Sequence, residues 1–194
     1  MLIKRLPHKQ GFTLVEIMVV IVIIVMMAGM ALPTMSDFMR QRRLKGASNI
    51  IQSLCIESRS RAIAQRERQY VLVIVTTGTY TPASPVTGVT VTNAAKGSVY
   101  SFDSNSSVTG GTPQLVSMET LPEFIKFDAP AANFTLVFAS DGTVSVVGFT
   151  PNNNDPDASN SSDVIFAQDG ITTKSYMQFI PNTGRVRTSV RNPL

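Results

Sequence analysis

Hydrophobic and polar positions divide the chain into three stretches of different periodicity. From Phe12 to Leu32 almost every position is apolar, and these 21 residues, as a helix, would span roughly 31 Å, about the thickness of a bilayer core. From Ser36 to Gln69 there is no proline and only one glycine, Gly46. Within it Leu44, Ala47, Ile51, Leu54, Cys55, Ser58 and Ala62 recur at helical spacing, which predicts an amphipathic helix with these residues as its packing stripe. After Gln69 the pattern changes to short β-type runs: Tyr70–Thr77, Val86–Thr92, Ser98–Phe102, Phe134–Ala139, Thr143–Phe149, Val164–Gln168, Thr172–Ile180 and Arg185–Val190. Turn residues separate them, and Asp141-Gly142 and Asp169-Gly170 are hairpin signals. The expected fold is α+β: a long N-terminal helix, half membrane-spanning and half amphipathic stem, packed on a β-rich antiparallel head. No internal repeat emerges at a fixed period.

Composition agrees with one globular domain plus a terminal appendage. The chain has 194 residues, 43% hydrophobic and only 15% charged, and Ser, Thr, Asn and Gly crowd the second half, as in β-rich exported domains. A single cysteine, Cys55, excludes an intramolecular disulfide, and its place on the helical stripe predicts a small buried hydrophobe. The one histidine, His8, lies in the N-terminal basic stretch.

Charge then orients the N-terminus. Lys4, Arg5 and Lys9 precede the apolar run with no acid among them, so the first residues are expected to stay cytoplasmic while the rest is translocated. An ordinary secretory signal would be cut after its apolar core at small residues, for which Ala28–Ala31 is a poor match. Glu16 also speaks against it, since an acid one turn into an apolar segment needs a partner.

The run Gly11-Phe12-Thr13-Leu14-Val15-Glu16 resembles the cleavage motif of type IV prepilins. That resemblance implies a leader at residues 1–11, cut after Gly11 by a prepilin peptidase, and methylation of the new N-terminal residue, Phe12. It implies a membrane and filament-core helix at 12–33, a stem at 34–69 and a periplasmic head at 70–194. Glu16 would be the mature chain's fifth residue, meeting the N-terminal ammonium of a neighbouring subunit. Pro33 matches the family's mid-helix proline and is expected to kink or locally melt the helix. Removing the leader takes Lys and Arg from 17 to 14 against an unchanged 13 acids, so the mature chain is nearly neutral and only the distribution of charge matters.

Two stretches of the head, Phe138-Ala139-Ser140-Asp141-Gly142 and Ile180-Pro181-Asn182-Thr183-Gly184-Arg185-Val186-Arg187, resemble the paired C-terminal motifs of the GspH/FimT minor pilins and pseudopilins. Both also read as turn chemistry needing positive φ. Members of this family sit at or near filament tips.

The head's charge is uneven. From Gln69 to Gly170 there are nine acids and two cations, whereas Ile171 to Leu194 holds Lys174, Arg185, Arg187 and Arg191 with no acid. Alternation along a strand would point Arg185, Arg187 and Arg191 one way, as guanidinium donors for phosphates. Gly-Arg-x-Arg here resembles the DNA-binding motif of FimT-type minor pilins in natural transformation. On that reading Gly184 lets the backbone turn closely, and Thr188 and Ser189 add hydroxyl contacts. The alternative is an edge strand protected by charge. The stem's Arg40, Arg42, Arg43, Lys45, Arg59, Arg61, Arg66 and Arg68 face Asp37, Glu57 and Glu67; they suit solvation, lipid headgroups or filament neighbours.

Three functions from different classes follow. The favoured one is a minor pilin of a type IV pilus, in the inner membrane and then in the filament among other pilins, with DNA as a partner. The second is the H-type pseudopilin of a type II secretion system, which shares every N-terminal feature. The third is an anchored enzyme: without the leader no histidine remains, and there is no phosphate loop, metal-ligand spacing or nucleophile elbow. No cofactor and no metal is expected. Pro151–Asp163 has the composition of a cation loop without an EF-hand's ligand spacing, and reads as a mobile exposed loop. A soluble head is expected from Ile50 onward.

Overall fold

A computed structural model describes residues 12–86, 88–104, 113–149 and 164–191, without the side chains of residues 30–34 and 191. The leader, with Gly11, and the loop Pro151–Asp163 therefore lie outside the described residues. Two units, Met1–Met39 and Arg40–Leu194, are considered separately, and one helix, α1 (Leu14–Gln65), contributes to both.

In the first unit the apolar side chains find no core. Phe12 is 82% exposed and even the most covered of its described large apolar side chains, Met39, is 46% exposed. A helix apolar on every side needs an apolar surround from lipid or other helices. Among the described residues no helix is long and apolar enough to cross a membrane; the described side chains of this run stop at Gly29, while the sequence continues apolar to Leu32. The helix passes through Pro33 without a break, so the local melting expected there is not seen. Missing one N–H, proline removes one backbone bond and leaves the neighbouring turns hydrogen-bonded.

The second unit is built where the stem stripe meets two sheets. Leu44, Ala47, Ile51, Leu54, Cys55, Ser58 and Ala62 are all buried, as the spacing predicts. The helix stops at Gln65 rather than Gln69 because Arg66 takes a left-handed conformation (φ 58), the geometry that ends many helices. The strands that follow are β1 (Gln69–Val73), β2 (Gly78–Tyr80), β3 (Val91–Ala94), β4 (Ser98–Asp103), β5 (Gln114–Thr120), β6 (Ile125–Ala129), β7 (Phe134–Phe138), β8 (Val144–Val147), β9 (Val164–Gln168), β10 (Lys174–Ile180) and β11 (Arg185–Arg191).

They form a five-stranded sheet, β5-β4-β1-β7-β8, a four-stranded sheet, β11-β10-β9-β6, and the β2-β3 ribbon, with every pairing antiparallel. Val71, Val99, Leu136 and Phe138 of the first sheet, Phe166, Met177 and Phe179 of the second, and the stem stripe share one core. Strand β1 is buried on both faces, because Tyr70, Leu72 and Ile74 turn away from the stem into a second cluster with Val86, Val89 and Val91. That explains its unbroken apolar run. The fold is the expected pilin-like α+β arrangement, an N-terminal helix packed on antiparallel sheets.

Strands β2, β5 and β6 do not correspond to expected runs, and Val86–Thr92 contributes only its end to β3. Among the described residues strand β5 has a partner on one edge only, and it exposes Leu115 and Met118, so no buried face imposed an alternation. Both hairpin signals hold: Gly142 (φ 82) turns β7 into β8 and Gly170 (φ 84) turns β9 into β10.

Candidate functional site

Among the described residues strand β11 is an edge strand, hydrogen-bonded only to β10, in the register Ile180↔Arg185, Gln178↔Arg187, Tyr176↔Ser189 and Lys174↔Arg191. Its even-numbered positions face the stem. Val186 packs on the main core, and Thr188 Oγ1 donates to Gln52 Oε1 of α1 at 3.3 Å. Arg185, Arg187 and Ser189 are exposed on the opposite face, as strand alternation requires. Thr188 is therefore not available beside the arginines as a hydroxyl donor, whereas Ser189 is. Arg191 holds the end of the strand opposite Lys174.

Electrostatics separates these cations. Lys174 Nζ donates to Asp128 Oδ2 at 2.5 Å, and that hydrogen bond, with the carboxylate's charge, holds the ammonium above its ordinary pKa. Lys126 is likewise paired, with Asp169 at 2.6 Å. Among the described residues neither Arg185 nor Arg187 forms an ion pair. Beside Arg187 on the same face lies Gln178, 8% exposed, whose Oε1 has no hydrogen-bond partner among the described residues.

What aims the strand is a corner that joins the two head motifs. A 3-10 turn, Pro181–Thr183, ends at Gly184, which has left-handed φ 60 and donates its N–H to Ile180 O at 2.9 Å. Gly184 lies against the Gly142 carbonyl oxygen, with Arg59 Nε also within contact of where a β-carbon would stand. Arg59 Nε in turn donates to Gly142 O at 3.1 Å. Asp141 closes the facing turn by accepting from Thr143 N at 2.9 Å and Thr143 Oγ1 at 2.6 Å; these bonds hold its carboxyl below the ordinary range. Gly184 is buried in this corner. Its freedom of φ serves the approach of two backbones and fixes where Arg185 begins.

The second functional locus is the start of α1. Thr13 N–H and Thr13 Oγ1 donate to Glu16 Oε2 at 3.3 and 3.4 Å, and Glu16 N–H donates to Thr13 Oγ1 at 3.2 Å. This reciprocal pattern is a capping box. Glu16 thus has a partner within its own chain, and the sequence carried the signal in Thr13-Leu14-Val15-Glu16. Arg59, Gln52 and Gln178 had no such signal, because only strand register and helix packing bring them to the site.

Elsewhere the chemistry is sparse. Burial raises the Cys55 thiol far above its ordinary pKa, which suppresses the thiolate that nucleophilic or metal-binding chemistry needs. Among the described residues no group of three metal-ligating side chains converges.

Comparison with known proteins bears on the second locus, the start of α1. The family described as "Prokaryotic N-terminal methylation motif" matches residues 6–32. No curated protein matches the chain. No solved structure matches it. The motif is typical of type IV pilins and pseudopilins, which are generally structural, non-enzymatic proteins. It implies processing by prepilin peptidase and assembly with pilins, and its leader is of the kind that precedes inner-membrane anchoring. The chain is a pilin-like or pseudopilin-like protein with an N-terminal methylation motif.

Proposed function

We propose that the chain is a minor pilin of a type IV pilus that aids filament assembly at or near the tip and binds DNA for natural transformation. Cleavage follows Gly11, methylation falls on Phe12, residues 12–33 anchor the chain in the inner membrane, and the head faces the periplasm before incorporation. Glu16 acts in assembly, and Arg185, Arg187 and Arg191 contact DNA phosphates from the edge strand that Gly184 positions. The observation that carries the DNA reading is the outward Arg185–Arg187 pair, on a free edge and unmatched by acids among the described residues. Guanidinium groups so presented suit phosphate oxygens, and the contact would be insensitive to base sequence.

The test is a gel shift of duplex DNA with the full chain in detergent, against the Arg185→Gln/Arg187→Gln/Arg191→Gln variant. Loss of the shift in the variant supports the DNA role, and an unchanged shift removes it. The second reading, an H-type minor pseudopilin of the type II secretion system, is favoured by the N-terminal motif to the same degree, since pilins and pseudopilins share it. A deletion strain separates them. Loss of transformation with normal protein secretion supports the pilus, and the reverse supports the secretion machinery.

A further inference from the structure

Phe124 is a large aromatic side chain left 66% exposed on a backbone with φ 68, an unfavourable conformation for a bulky residue. It sits in the connection between β5 and β6, which rests on the stem where α1 enters this unit. The Arg43 guanidinium lies over its ring, 5.6 Å from the centroid, and Gly46 faces Pro122 across 3.8 Å of would-be β-carbon contact. On the same end of the unit Arg40 Nη1 donates to Gly170 O at 3.1 Å, while Arg42, Arg43 and Lys45 are exposed. An exposed aromatic ring beneath one helix guanidinium, with three more cations on the same stretch of helix, is the combination that interfacial segments present to anionic headgroups.

We infer that this end of the head, formed by Phe124 with Arg40, Arg42, Arg43 and Lys45, docks on the anionic lipid surface from which the helix emerges. The inference rests on the reading that the run ending at Leu32 is in the membrane. Charge complementarity and chain length identify the occupant. Arg40 lies eight positions beyond Leu32, about 12 Å of helix and no more than about 28 Å of extended chain. The cations are thus tethered within reach of the headgroup layer, where attraction to anionic lipid acts over about 10 Å. Against the four cations stand Glu123, next to Phe124 in the chain, and Asp37, three positions before Arg40, while Lys126 pairs with Asp169, so the cations of this stretch outnumber its acids. A stored head would be held ring-down on the membrane and released when the subunit is pulled into a filament.

The chain contains no tryptophan, so Phe124→Trp gives a lone tryptophan at the site, excited selectively over the tyrosines. The full chain carrying it is reconstituted in vesicles of phosphatidylcholine alone and of phosphatidylcholine with phosphatidylglycerol, with brominated lipid as quencher. Blue-shifted emission and quenching in the phosphatidylglycerol vesicles, lost in high salt and in an Arg42→Gln/Arg43→Gln background, support the inference. Water-like emission in both vesicles, or quenching indifferent to phosphatidylglycerol and to the arginines, overturns it. Val22→Trp is the control for the underlying reading: if that probe is not quenched, the membrane segment and the docking both fail, whereas a quenched Val22→Trp beside an unquenched Phe124→Trp rejects docking alone. Duplex DNA displacing the Phe124→Trp signal from phosphatidylglycerol vesicles at low stoichiometry would reassign the site to nucleic acid.

Discussion

Gly184 is packed against the carbonyl oxygen of Gly142, with Arg59 of the stem holding that same oxygen at 3.1 Å. Through this contact two turns far apart in sequence become one corner, and the corner sets the direction of the strand that carries Arg185 and Arg187. A β-carbon at Gly184 would meet both a left-handed φ and a backbone oxygen that cannot move aside. Gly184→Ala should therefore lower stability by roughly 2–4 kcal/mol, read as a drop in the thermal midpoint. Gly142→Ala meets the Ile63 Cδ1 and Arg59 side chains instead, which can shift, so its loss should be smaller.

The arginine pair should be separable from stability. Arg185 and Arg187 are exposed and without ion pairs among the described residues, so replacing both with Gln should change unfolding free energy by no more than about 0.5 kcal/mol. If DNA binding uses the three arginines, its affinity should fall about 40-fold between 50 and 200 mM salt, with a log–log slope near −2.7, and the variant should flatten that slope. Thr188→Val should do the opposite: the Gln52 hydrogen bond is lost, stability falls by about 0.5–1.5 kcal/mol, and DNA affinity is unchanged.

Glu16 has two separable jobs. As the partner of Thr13 it caps α1, and as a charge it is proposed to meet a neighbouring subunit's N-terminus. Glu16→Gln can keep the capping box and should leave membrane insertion and cleavage intact while incorporation into filaments falls. Thr13→Ala weakens the cap by about 1 kcal/mol and should leave incorporation near normal. Equal defects in both variants would assign the role to the cap alone.

Alkaline pH should reveal Cys55. Burial raises its thiol pKa in the folded chain above the ordinary 9.0, so the unfolded chain holds fewer protons than the folded one once pH exceeds that value. Stability is then fully present below about pH 9 and declines as pH rises, by up to 1.4 kcal/mol per pH unit from this group. Cys55→Ala should remove that decline between pH 9 and 10, before Tyr70 and Tyr80, also raised by burial, contribute. Chemical denaturation at stepped pH measures it.

The boundary of the packed unit is a correction with a practical consequence. A head begun at Ile50 would lack Leu44, Ala47 and Ser48, which are 0%, 0% and 1% exposed. Deleting a buried leucine and its neighbours typically costs on the order of 3–5 kcal/mol. A fragment begun at Arg40 should melt cooperatively, and one begun at Ile50 should melt lower or not fold; circular dichroism distinguishes them.

The sequence alone determined what is local. A short motif around Gly11 and Glu16, a helical stripe from Leu44 to Ala62, and two Asp-Gly turns each act through residues a few positions apart, so their meaning survives without knowledge of partners. Strand alternation was enough to put Arg185 and Arg187 on one face. Tertiary structure decided the rest, because cross-strand register, edge position and helix contact join residues that no periodicity links. Alternation also puts Thr188 on the face away from Arg187, but nothing along the chain told that Gln52 would meet it there, that Gln178 would lie beside Arg187, or that Gln114–Thr120 would form an edge strand. Nor did the prepilin-like N-terminus, the most legible feature of all, reveal which of the head's cations the fold would pair with acids. That depends on which acids the fold brings near, as Asp128 to Lys174 and Asp169 to Lys126, and a long-range ion pair exists only once the chain has closed.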